Sequence, residues 1–317
     1  MSINLLGNNY TATFTSSGSD PNAPYTNVGG GFAAATLTLD AASASVVATE
    51  AANAIQETSE TITLDLTGPG TIALDGADTY SGGTNLFAGT LETADSNALG
   101  TGAVIFAGAA TLAATANVSI ANAVTINAGF SATFAAATGD TLTLDDVQFD
   151  GGFGTTAHFG SAANTGDVVL TTADGGGVGD LTGAAAVDGG TLTLGDALAA
   201  VLIANLEGGL TVGTGAASAT LDLSGQSAEA WNLSGNASGV ITNNGAAPAT
   251  LTAENPEVTV FAGVIEDGTG TIALDVAGPD LLILTGFNTY SGGTYVQQGA
   301  VSVQGDNALG QTTVADV

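Results

Sequence analysis

Lysine, arginine and cysteine are all absent from the 317 residues. Against 30 Asp plus Glu stands a single His, His158, so the formal net charge is −30 with no strong internal counter-charge. Neutralising nucleic-acid phosphates takes Lys or Arg, which excludes DNA and RNA as partners. The same lack excludes docking on an anionic membrane surface. Phosphoryl transfer and Schiff-base chemistry lose their usual residues, and no salt bridge is expected anywhere in the chain. Without cysteine there is no disulfide framework, although this does not fix the compartment.

Aromatic residues make up only 5% of the chain, so a core must be thin and aliphatic. No stretch of about 18 apolar residues occurs, and no membrane-spanning helix is expected. The opening Met1-Ser2-Ile3-Asn4-Leu5-Leu6-Gly7 has neither the positive region nor the apolar run of a secretory signal. Export would therefore use another route or follow removal of a signal. Charged residues are only 9% and hydrophobic ones 44%, which is the composition of a folded chain despite its charge. The best helical window, residues 41–57, holds Val46-Val47 and lacks Leu or Lys at helical spacing.

Short alternating runs dominate instead. Thr36-Leu37-Thr38-Leu39-Asp40, Thr61-Ile62-Thr63-Leu64-Asp65, Thr141-Leu142-Thr143-Leu144-Asp145 and Thr191-Leu192-Thr193-Leu194 share a period of two. That period puts aliphatic side chains on one face of a strand and hydroxyls on the other. Gly, Asn-Gly and Asp-Gly punctuate the intervals. The chain reads as all-β.

Residues 61–100 align without a gap to 271–310, with 19 identities in 40 positions. Thr79-Tyr80-Ser81-Gly82-Gly83-Thr84 repeats as Thr289-Tyr290-Ser291-Gly292-Gly293-Thr294, and Asn97-Ala98-Leu99-Gly100 as Asn307-Ala308-Leu309-Gly310. Separated copies in a chain of uniform texture suggest stacked coils that bury one another's faces.

This unit resembles the autotransporter-associated β-strand repeat of bacterial type V passenger domains. The segment Phe261-Ala262-Gly263-Val264-Ile265-Glu266-Asp267-Gly268-Thr269-Gly270 is similar to the lead-in of that repeat. The resemblance implies a right-handed parallel β-solenoid (β-helix) of stacked repeats, exposed outside the cell or on its surface. Two departures are visible: no C-terminal membrane barrel follows, and Val276-Ala277-Gly278-Pro279-Asp280 stands where the family has a Lys/Thr-rich linker. The solenoid is expected over residues 31–317, with residues 1–30 as an N-terminal arm or cap.

The candidate sites are few. His158 lies in a strand-like setting with Ser161 nearby, but no Gly-x-Ser-x-Gly elbow accompanies it. Because Ser81-Gly82-Gly83 recurs at 291–293, it reads as a turn and not as a nucleophile. No basic residue is present for a lyase, and nothing selects a glycosidase carboxylate pair. Calcium is the better use of the acids. Asp174 and Asp180 flank Gly175-Gly176-Gly177-Val178-Gly179, near a known Ca²⁺-binding nonapeptide. Asp145-Asp146 and Glu266-Asp267 are adjacent acidic pairs. Tyr80 and Tyr290, with Phe287, read either as a stacking platform for sugars or as hydrophobic plugs, and the plug is favoured. Trp231 is expected in the core or at a subunit contact.

These observations point to a non-enzymatic extracellular structural protein, a self-assembling fibre, filament or surface-layer subunit. The alternative is an adhesin-type passenger fragment that binds a glycan or host surface. Head-to-tail polymerisation is expected, with the alternating residues 9–15 of one molecule added to the last coil of another.

Overall fold

The structure is a computed structural model, and it describes residues 5–6, 10–16, 34–41, 47–50, 55–57, 61–145, 154–171, 183–197, 200 and 207–311. Within them 29 strands form sheets of nine, seven, six, four and three strands. Long-range parallel pairing dominates. Thr111 pairs with Thr90 on one side and Thr133 on the other, and Leu251 lies between Ala228 and Leu274. A strand and its neighbour are therefore one coil apart in sequence. That step is 19 residues from Leu281 to Ala300 and 29 from Gly190 to Ala219. The result is a β-solenoid of about ten turns.

Alternation in sequence becomes alternation in space. In Thr141–Leu144 both leucines are buried and both threonines lie on the half-exposed outer face. Thr61–Thr67 follows the same rule, with Ile62, Leu64 and Leu66 inside. Each buried Leu or Ile removed from water contributes about 1.5–3 kcal/mol. Down the axis runs a short aromatic ladder. Phe106 meets Phe134 edge-on at 5.1 Å, and Phe134 stacks on Phe159 at 5.8 Å.

Corners need polar atoms as well as bends, because turning the chain strands backbone groups inside. Buried asparagines meet that need. Asn243 accepts from the Gly225 amide and donates to the carbonyls of Ala247 and Thr271, so that it ties three successive coils. Asn288 likewise accepts from Ile265 N at 2.8 Å and donates to Ala308 O at 2.6 Å.

The nine-stranded sheet ends at Gly209–Val212. Bridges from Thr211 to Ser234 and from Gly235 to Phe261 carry the same face on to the three-stranded sheet. That sheet comprises Thr259–Phe261, Leu281–Leu284 and Ala300–Val303. Among the described strands two break the parallel rule, both near the N-terminus. Leu5–Leu6 runs antiparallel to Val47–Glu50, and Tyr10–Ser16 antiparallel to Ala34–Ala41. The alternating segment expected to leave for a neighbouring molecule is thus seated on its own chain, in register over all seven residues from Tyr10 to Ser16. Val47–Glu50, inside the best helical window, is also a strand.

Candidate functional site

The repeated Thr-Tyr-Ser-Gly-Gly-Thr forms a corner built the same way twice. Tyr80 and Tyr290 are both fully buried. Their hydroxyls meet Thr84 Oγ1 at 2.7 Å and Thr294 Oγ1 at 2.6 Å. Burial pushes the Tyr290 phenol up, against the pull of the Thr294 hydrogen bond. The tyrosines are plugs. Phe287 departs from them and is 57% exposed.

A carboxylate one coil earlier brackets each corner. Ser81 donates from its amide to Glu57 Oε2 at 2.7 Å and from its hydroxyl to Oε1 at 2.9 Å, while Ile62 N donates to Oε2 at 3.1 Å. In the second copy Ile272 N donates to Asp267 Oδ1 at 2.7 Å, Ser291 N to Oδ1 at 3.2 Å and Ser291 Oγ to Oδ2 at 2.5 Å. Glu57 and Asp267 thus perform one task at equivalent positions, just outside the gapless match. Burial alone would raise the Glu57 carboxyl. The hydrogen bonds from Ile62 and Ser81 outweigh it and hold the group below its ordinary value. Ser81 and Ser291 are structural donors, as the recurrence of the motif implied.

His158 has an unexpected partner. Its Nδ1 lies 2.7 Å from Asp188 Oδ2, and Thr214 Oγ1 donates to Asp188 Oδ1 at 2.5 Å. The expectation of no salt bridge is thus qualified, because the one His reaches a carboxylate on the next coil and the pair is ionic whenever His158 is protonated. Burial would raise the Asp188 carboxyl. The hydrogen bonds from His158 and Thr214, with the electrostatic attraction of His158, hold it below its ordinary value. One carboxylate thus joins three coils. The pair opens on a shallow groove of about 370 Å³ that also holds Thr111, Ser131, Thr133 and Ser161. Ser161 Oγ accepts from Ala163 N and Asn164 N and so fixes a turn.

Of the acids singled out for calcium, only Asp145, Glu266 and Asp267 are described, and they form no metal-binding cluster. Asp174, Asp180 and Asp146 fall outside the described residues. Asp145 accepts from Ser119 Oγ at 2.5 Å and Thr171 Oγ1 at 2.7 Å, one hydroxyl from the coil before and one from the coil after. Asp267 is engaged in its corner, and its neighbour Glu266 donates its amide to Ile241 O. No three carboxylate or imidazole groups converge among the described residues. Trp231 lies on the half-exposed outer side of its strand, with Nε1 3.1 Å from Glu229 Oε1. It is not a core residue, because the adjacent Ala228 and Ala230 take the inward positions.

Sequence reasoning missed the carboxylate clamps. Val296, Val303 and Leu309 are 52%, 47% and 39% exposed, although their counterparts Leu86, Thr93 and Leu99 are fully or almost fully buried. The parallel strands Val104–Phe106 and Ala110–Ala114 cover the first copy. Thr294–Val296 and Ala300–Val303 are the outermost strands of their sheets.

Stacked coils, alternating interiors and clamped corners define a parallel β-solenoid assembled from repeats. Residues 64–92 and 267–303 each match the Passenger-associated-transport-repeat family, the same unit that recurs in the sequence. The repeats are thus of the kind found in autotransporter passengers. No curated protein and no solved structure is significantly similar to the chain.

Proposed function

We propose that this chain is a non-enzymatic structural protein of the cell surface or extracellular space, a rigid rod that extends by head-to-tail addition. The observation that carries this reading is the stack itself, parallel coils built from one repeat, each pairing its edge strands with those of the next. In the first copy of the repeat the outer strands pair with a further parallel coil, which is the complement that a coil edge of this kind accepts. Toward the N-terminus the stack carries antiparallel edge strands at Leu5–Leu6 and Tyr10–Ser16. A contact between unlike ends does not close, and it gives filaments in place of dimers. Cations, Ca²⁺ included, favour growth by screening 30 uncompensated acids.

Sedimentation velocity over a concentration series, with and without millimolar Ca²⁺, tests this reading. Growing species are expected, and they should vanish in Val296→Asp/Val303→Asp. A wild-type chain that stays monomeric throughout, or a double variant that still grows, overturns it.

A further inference from the structure

The three-stranded sheet turns an aliphatic face outward. Val258 and Val260 are 59% and 45% exposed. Val260 pairs with Ile283, and by the same register Val258 lies beside Leu281. Leu281 and Ile283 take the outward positions of a strand whose inward residues, Leu282 and Leu284, are fully buried. The next strand adds Ala300 and Ser302 on the same side.

The fold does not require these side chains. In the first copy the positions of Leu281 and Ile283 are held by Thr71 and Ala73, and those of Ala300 and Ser302 by Thr90 and Glu92. The same coil therefore closes with hydroxyl, methyl and carboxylate groups on its outer face. The exposed Val258 and Val260 and the half-buried Leu281 and Ile283 form one aliphatic patch, the kind of surface that marks an interaction site.

The rim indicates the chemistry of the occupant. Glu257 immediately precedes Val258 and Asp280 immediately precedes Leu281, both exposed, in the bends that lead into these two paired strands. Like charges on neighbouring strands repel, and this chain has no Lys or Arg to place between them. A second copy applied to this face would only add carboxylates. We propose that the outer face of Val258, Val260, Leu281 and Ile283 is a docking surface for a different polypeptide, one that presents an aliphatic strip edged by Lys or Arg. It is separate from the open end of the solenoid and does not depend on polymerisation.

The test uses the full chain and a labelled synthetic peptide of alternating Val and Lys, with all-Lys and alternating Val/Ser peptides as controls, read by fluorescence anisotropy. The main variant, Leu281→Thr/Ile283→Ala, installs the residues the first copy already tolerates. Val258→Thr/Val260→Thr is a second route should the first not fold. The Val/Lys peptide is expected to bind more tightly than either control. Either variant should weaken it at least about tenfold, the order expected on losing a buried aliphatic pair, and leave all-Lys binding unchanged. Equal binding by wild type and a folded variant overturns the proposal, because net charge alone is then responsible. So does a wild-type dimer that disappears in the variant, or variant-sensitive binding to anionic or zwitterionic vesicles in the absence of peptide binding.

Discussion

Two copies of one unit, residues 61–100 and 271–310, sit in different surroundings, and the difference separates what the coil needs from what its neighbours impose. The buried tyrosine, the carboxylate-bound serine and the bend at Gly82-Gly83 or Gly292-Gly293 are common to both. Those features belong to the coil itself. Burial of the downstream residues is not common, since Leu86 is 1% exposed and Val296 is 52% exposed. It comes from the next coil. A solenoid of this kind is close to a one-dimensional stack, with stability divided between each coil and its interfaces.

The sharpest way to break the comparison is to truncate matched side chains. Leu86→Ala leaves a cavity between two coils and should cost about 2–5 kcal/mol. Val296→Ala removes a side chain already half in water, and the expected cost is under about 0.5 kcal/mol. Denaturant melts of dilute protein measure both. Should Val296→Ala cost as much as Leu86→Ala under dilute conditions, the end is covered and the account of the last coil is wrong.

A glycine pair sharpens the same point. Gly83 and Gly293 share a left-handed backbone, with φ of 87° and 89°. A Cβ at Gly83 would stand 2.6 Å from Ala103 O of the next coil, whereas at Gly293 nothing lies closer than the Tyr295 ring at 3.8 Å. Gly293→Ala should cost the backbone strain alone, about 1–2 kcal/mol. Gly83→Ala carries that strain plus a clash with fixed backbone, and its cost should be clearly the larger. Equal costs would show that the next coil imposes nothing at this corner.

Much of this was legible in the sequence, and the limits have physical causes. Period-two runs such as Thr141–Leu144 locate strands because one face is buried and the other is not. The gapless repeat located the tyrosine corner. The clamps escaped because Glu57 and Asp267 are not identical and lie just before residues 61 and 271, where the matched segments start. Extending the alignment to acid against acid was the available signal. The His158–Asp188 pair was harder to find. It joins residues one coil apart, and coil length varies from 19 to 29 residues, so no fixed spacing reveals the partner. The strand Tyr10–Ser16 was recognisable by its alternation, but alternation does not say which edge receives it.

The clamps come next in size. Glu57→Ala and Asp267→Ala each remove a carboxylate that collects bonds from two residues, and each should cost about 1–2 kcal/mol. If the clamp is intrinsic to the coil, the two losses are alike, in contrast to the two preceding pairs. Thermal melts compare them directly. A cost at Glu57 several times that at Asp267 would assign the clamp to the stack and not to the coil.

The smallest expected effect is that of pH on the acids that the first copy carries and the second lacks. Glu92 has its carboxyl raised, first by burial and then by repulsion from Asp75, whereas the matching positions in the second copy hold Ser302 and Thr285. A carboxyl raised in the fold favours the protonated form there, so this term destabilises near neutrality and is relieved as pH falls toward the raised value. Glu57 and Asp188 have the opposite sign. Their folded values are depressed, so the stability they add is present above the ordinary carboxylate range and is lost as pH falls through the folded values. The melting temperature should therefore rise slightly from pH 7 to about 5, then drop below about 4 as Glu57 and Asp188 protonate. Glu92→Gln should stabilise the protein at pH 7 by less than about 0.5 kcal/mol and reduce the rise between pH 7 and 5, leaving the acid drop in place. Melts that decline steadily from pH 7, or a Glu92→Gln profile parallel to wild type, would show that this acid pair has no part in the difference between the copies.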